Sequence, residues 1–325
     1  MSDSLRNWSF PAELQPDPAE VDFDLGQVLD AVVALRAEVP DDAFTASILG
    51  TERSGNGVVI RDDGLVLTIG YLVTEAESVW LTTNAGRVVA ATPLAFDFVT
   101  GFGLVQPLGQ LDAPALARGA SSKCDVGDDV FMIGHGGRHH ALKADVIAKR
   151  EFAGYWEYVL DEALYTAPAH PQWSGAALVG TDGKLLGIGS LLVEETIDSK
   201  QVQGNMVVPI DLLDPILDPM TRFGRPDRAA RPWLGLYAAE SNGQLVVGGL
   251  ATRGPADAAG VKLGDLVVEV AGGRVSSLAE LFRSVWALGK AGVEVPLTLA
   301  RKGSLVHVRV RSADRNDFMR KPQLH

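Results

Sequence analysis

The sequence predicts a mainly β protein: two small barrels in tandem, then a third unit that mixes strands with one helix. From Phe44 onward, short runs rich in β-branched residues recur at close spacing: FTASILG, NGVVI, GLVLTIG, SVWLTT, GRVVAATPL and FGLVQPL. Turn signals such as Arg61–Asp62–Asp63–Gly64 and Asn84–Ala85–Gly86 separate them with residues that tolerate positive φ. A comparable second set runs from about Val126 to Ile210: DDVFMIG, ALKADVIAKR, YWEYVLDEALYTA, GAALVG, KLLGIGSLLV and NMVVPI. Strands at this spacing argue for sandwiches or barrels, and two matched sets argue for two of them.

In chain order, residues 1–42 read as an acidic, Pro-rich arm with a short helix. Its apolar positions Leu25, Val28, Leu29, Val32, Val33 and Leu35 fit a helix over Phe23–Glu38 that Pro40 stops. The barrels follow at about 43–111 and 116–211. Residues 212–230 begin helix-like and dissolve into Pro, Gly and Arg, which reads as a linker. The third unit spans 231–312, with Ser277–Leu288 as an amphipathic helix opened by the capping-box pair Ser277 and Glu280. Residues 313–325 are expected to be a frayed, charged tail.

Composition narrows the function classes. The 325 residues carry a formal net charge of −12, which gives no electrostatic support to a nucleic-acid or anionic-membrane partner. One cysteine, Cys124, excludes an internal disulfide framework. No run reaches the roughly 20 apolar residues of a membrane span, and the N-terminus has no apolar signal segment. A cytoplasmic protein without a cofactor is expected.

Ordered motifs then resemble one family. Ser54–Gly55–Asn56–Gly57–Val58–Val59–Ile60 with Asp63–Gly64–Leu65–Val66–Leu67–Thr68 is similar to the GSGxII…DGxILTNxHVV opening of the HtrA/Deg serine proteases. Gly127–Asp128–Asp129–Val130–Phe131–Met132–Ile133–Gly134 resembles their VGDxVxAIG segment. Trp173–Ser174–Gly175–Ala176–Ala177–Leu178 resembles GNSGGPL, and Met206–Val207–Val208–Pro209–Ile210 the closing FAIP strand. Gly254–Pro255–Ala256–Asp257–Ala258–Ala259–Gly260–Val261, with Gly264–Asp265, resembles the turn of the family's PDZ domain. The resemblance covers residues 43–312 and implies a chymotrypsin/trypsin-like double β-barrel followed by one PDZ domain.

Fold does not carry function, so each catalytic position is read by itself. Ser174 matches the nucleophile. The family's histidine position falls on Tyr71, its aspartate position on Gly101, and the oxyanion-hole glycine two residues before the nucleophile on Gln172. The first acid of the aspartate motif survives as Asp97, and bulky Trp173 stands where the family has Asn. A phenol with an ordinary pKa near 10 is a poor base at neutral pH, and loss of a triad member usually costs on the order of 10⁴–10⁶ in turnover. The resemblance therefore implies a catalytically inactive pseudoprotease that recognises peptides or partner proteins as a scaffold, adaptor or regulator.

Two competing readings stay open. His170 or His135 could serve Ser174 as a displaced base in a residual hydrolase. Alternatively His135, His139, His140 and His170 could hold a metal, imidazole being a suitable ligand, although HxxxHH on a glycine loop is no established spacing. Asp97 and Glu195 could equally be solvated charges. In the PDZ-like unit, Trp233–Leu234–Gly235–Leu236 resembles the family's carboxylate-binding loop, where backbone N–H groups hold a peptide C-terminus. Apolar C-termini would dock between Leu234 and Leu236 on one side and Leu281 and Val285 on the other; Trp233 is an anchor or core. The resemblance also implies a homotrimer, with Trp8, Phe10 and Phe23 as candidates for its contacts.

Overall fold

The computed structural model describes residues 8–197 and 200–320, which fall into two compact units. Of the described residues, the first unit joins those up to Arg150 with Glu162–Asp227 and Arg320; the second joins Glu151–Asp161 with Arg228–Met319. Among the described residues, no helix is long and apolar enough to cross a membrane.

The first unit contains two closed six-stranded barrels. Strands β1 (Val32–Glu38), β2 (Glu52–Val59), β3 (Val66–Ile69), β4 (Ser78–Thr82), β5 (Val88–Phe96) and β6 (Phe102–Pro107) close in the order β1-β2-β3-β6-β5-β4. Strands β7 (Asp129–Ile133), β8 (Ala141–Gly154), β9 (Tyr158–Ala167), β10 (Ala177–Gly180), β11 (Leu185–Ile197) and β12 (Lys200–Pro209) close as β10-β11-β12-β9-β8-β7. Closure leaves no unpaired sheet edge, and the inward residues Val130, Met132, Leu142, Leu164, Leu178 and Val207 pack the second barrel.

The N-terminal arm differs from its expected form. Helix α1 covers only Leu25–Asp30, capped where Asp24 Oδ1 accepts from Gln27 N at 3.1 Å. Val32–Glu38, expected to prolong it, is instead the first barrel strand, pairing Leu35 with Gly55 and with Leu81. Two adjacent β-branched residues and two partner strands outweigh the helical spacing of the apolar positions. The barrel therefore begins at residue 32, not 43. After a four-residue turn of helix, α2 (Ala46–Leu49), the other departure lies in the expected linker. There α3 (Asp214–Phe223) runs for ten residues, burying Ile216 and Met220 and ending on left-handed Gly224.

The second unit is one sheet, β13 (Leu236–Ser241), β14 (Gln244–Leu250), β15 (Leu266–Val270), β17 (Glu294–Arg301) and β18 (Ser304–Arg311), with β16 (Gly273–Arg274) beside β15. Helix α4 (Pro255–Ala258) and helix α5 (Leu278–Trp286) accompany it. Ser277 caps α5 by accepting from Glu280 N. Leu278, Leu281, Phe282 and Val285 of α5 enter one core with Leu236, Val247, Val267, Val295 and Leu297. Of the tail expected to fray, the described part is pinned, Ala313 pairing with Trp233 and Phe318 packing on the Trp233 ring at 4.8 Å, while residues 321–325 lie outside the described residues.

Candidate functional sites: the serine cleft and the carboxylate loop

The turn carrying Ser174 is held by Asn56 of β2. Asn56 N and Nδ2 donate to the Ser174 carbonyl at 2.8 and 3.1 Å, and Nδ2 also donates to the Gln172 carbonyl at 2.8 Å. Gly175 sits at φ +73°, and a Cβ there would lie 1.9 Å from the Asn56 carbonyl oxygen, so only glycine fits. These contacts keep Ser174 half-buried at the mouth of the turn.

Tyr71 lies in the 3₁₀ turn that follows β3, and its hydroxyl is 2.8 Å from Ser174 Oγ. The same hydroxyl donates to the Ser190 carbonyl at 2.7 Å. A phenol has one proton, so with it committed to Ser190 the Ser174 hydroxyl must donate to the phenol oxygen. Burial pushes the Tyr71 phenol up to about 12, against the opposing hydrogen bonds of Ser174 and Trp173. A neutral phenol oxygen is a very weak acceptor for the serine proton.

Gly101 contributes no side chain; its carbonyl accepts from Gly70 N at 2.6 Å, one residue before Tyr71. The Asp97 carboxylate closes its own turn, accepting from Thr100 N at 2.9 Å and Thr100 Oγ1 at 2.8 Å. At the oxyanion position the Gln172 N–H donates to His170 Nδ1 at 3.0 Å, so it is engaged within its own loop. His170 is fully buried, and its Nε2 faces the His140 carbonyl at 2.9 Å. Accepting at Nδ1 requires the proton on Nε2. Burial pushes His170 down to about 4, with the nearby His140 charge also lowering it and the His140 carbonyl opposing.

The other histidines are spread over the same loop. His140 has a carbonyl oxygen at each ring nitrogen, that of His135 at 2.7 Å and that of Trp8 at 2.9 Å, and it stacks on Trp8 at 4.4 Å. His135 donates its backbone N–H to Asn56 Oδ1 at 2.8 Å, and burial pushes its imidazole pKa down. His139 is exposed. Among the described residues, no group of three or more His, Cys, Asp or Glu could hold a metal ion. Glu195 pairs with Arg150 at 2.6 Å.

The second site is the loop before β13. The N–H groups of Leu234, Gly235 and Leu236 converge on one carboxylate, which belongs to Glu157 at the turn between β8 and β9. Glu157 Oε1 accepts from Gly235 N at 2.7 Å and from Leu234 and Leu236 N at 3.2 Å, and Oε2 accepts from Leu234 N at 3.1 Å. Glu157 stands at φ +62° and is 8% exposed. Burial pushes its carboxyl up to about 7, opposed by these N–H groups and by Arg315. Val159 joins the same core as Leu234, Leu236, Leu281 and Val285, all of which are buried. Trp233 is 3% exposed, so of its two expected roles it takes that of core. Neither Glu157 nor Asn56 was legible beforehand: an acid in a hairpin turn and an Asn in a glycine-rich strand carry no local signal.

Comparison with known proteins agrees with this architecture. A family described as a trypsin-like peptidase domain matches residues 55–188, and a PDZ domain family matches residues 232–311. The chain is 29% identical over 326 residues to "Protease Do-like 1, chloroplastic" of Arabidopsis thaliana, covering 90% of this chain and 71% of that protein. It is 26% identical over 273 residues to a "Probable periplasmic serine endoprotease DegP-like" of Halomonas elongata, covering 80% of this chain and 56% of that protein. The crystal structure of the serine endoprotease from Yersinia pestis shares the fold at TM-score 0.53 and 22% identity, over 91% of this chain and 99% of that one.

Proposed function

We propose that this chain, an HtrA/Deg-family protein with a trypsin-like peptidase domain followed by a PDZ domain, recognises peptides or partner proteins without cleaving them. It then acts as a scaffold, adaptor or regulator. The observation that carries this reading is the direction of the hydrogen bonds at Ser174: the serine proton rests on a phenol whose own proton is committed to Ser190. Acyl transfer needs a base that can take that proton and an N–H aimed at the developing oxyanion. Tyr71, held up near 12, offers the first only above the physiological range, and the Gln172 N–H is engaged by His170.

Peptide recognition rests on the PDZ domain, whose loop presents three convergent backbone donors of the kind that hold a carboxylate. The deciding experiment treats the full chain with a fluorophosphonate probe and with unfolded casein at pH 7.5. Neither labelling of Ser174 nor casein fragments are expected. Stoichiometric labelling that vanishes in Ser174→Ala, together with cleavage, would establish the residual hydrolase instead.

A further inference from the structure

We propose that Glu157 is an internal ligand of the PDZ domain: its side-chain carboxylate fills the seat of a peptide C-terminus, and a free C-terminus binds by displacing the turn Glu151–Asp161. This rests on the reading of the loop as a peptide-binding site.

A loop of successive N–H groups selects a carboxylate because each donor strengthens when its acceptor is charged. Here three such donors, at 2.7 to 3.2 Å, are satisfied by one side chain. Two residues on, Val159 fills apolar space in the cluster with Leu236, Leu281 and Val285, where an apolar ligand side chain would go. A carboxylate in the loop and an aliphatic residue in the groove are the two elements of C-terminal peptide recognition. The chain supplies both to itself.

The rest of the turn is built to deliver them. Arg283 of α5 bridges Glu151 on one arm and Asp161 on the other, clamping the base of the segment. Arg315 donates to the Trp156 carbonyl at 3.2 Å, immediately before Glu157, and its charge faces the carboxylate. Glu157 takes a left-handed backbone, which costs a non-glycine residue on the order of 1 kcal/mol and turns its side chain into the loop. An acid elsewhere on the surface would need none of this.

Because the internal ligand is covalently attached, a free peptide competes against a high effective concentration, and its apparent affinity falls by the fraction of time the turn is docked. The test uses the full chain and a pool of fluorescein-labelled octapeptides, degenerate at the inner positions and ending in a free Val carboxylate. Glu157→Gln, close to isosteric, is expected to bind the pool at least tenfold more tightly than the unaltered chain, whereas the same pool capped as C-terminal amides binds neither. Equal affinity of both proteins for the free-acid pool would overturn the internal-ligand inference and leave peptide binding intact. Absence of binding to either protein would overturn peptide binding, and the inference with it. An independent readout covers a variant that fails to fold: in the unaltered chain without peptide, the amides of Leu234, Gly235 and Leu236 should exchange slowly with deuterium. Fast exchange there would overturn the docked turn directly.

Discussion

Tyr71 shows how one hydroxyl can tie two separate segments together beside Ser174. Its hydroxyl is bonded both to Ser174 Oγ and to the Ser190 carbonyl. Removing that hydroxyl leaves a serine proton and a carbonyl without their partner. Tyr71→Phe is therefore expected to cost about 1–3 kcal/mol in chemical denaturation of the full chain, and Ser174 should remain unreactive because no base is gained. A labelled Ser174 in that variant would mean that the phenol suppresses activity rather than replacing a base. Tyr71, Gly101 and Gln172 were singled out by the sequence motif alone. The direction of the hydrogen bonds was not, because it depends on the carbonyl of Ser190, 119 residues further along.

Among the elements, the hairpin of β8 and β9 departs furthest from what the sequence suggests. Its alternation marks two strands, and that much was readable, but nothing local says that its turn belongs with a domain that begins some 70 residues later. The same limit explains β1, whose helical spacing of valines is overruled by pairing on both edges. Local pattern fixes the period of a segment; the partner strands decide its place. The Arg283 clamp carries a prediction of its own. Exposed ion pairs are worth about 0–1 kcal/mol, so Arg283→Gln should improve binding of the free-acid peptide pool by only about two- to five-fold. Deuterium exchange at Leu234–Leu236 should quicken by a similar factor. An unchanged exchange rate would show that the clamp does not hold the turn.

Across the whole molecule, stability and folding follow from the same buried groups. His170 is packed by Trp8, Phe10, His140, Gln172 and Asn205, and is held down near 4 from an ordinary 6.5. Between those values the unfolded chain binds a proton that the folded chain refuses, so stability is full above 6.5 and falls as pH drops toward 4. The loss at this one site is about 3 kcal/mol at most. Denaturation midpoints recorded from pH 7.5 to 4.5 should show it, and His170→Asn should flatten that part of the profile; parallel profiles would assign the acid sensitivity to the carboxylates alone. The Glu157 contact has a kinetic consequence as well. Its partners lie 77 to 79 residues away, so the acid leaves the ribosome first, and at about 5–20 residues per second it precedes its loop by several seconds. The second unit is thus discontinuous in the chain, and closing it is a long-range event that belongs late in folding. A nascent molecule passes through an interval in which its hairpin is made and the loop that will receive it does not yet exist.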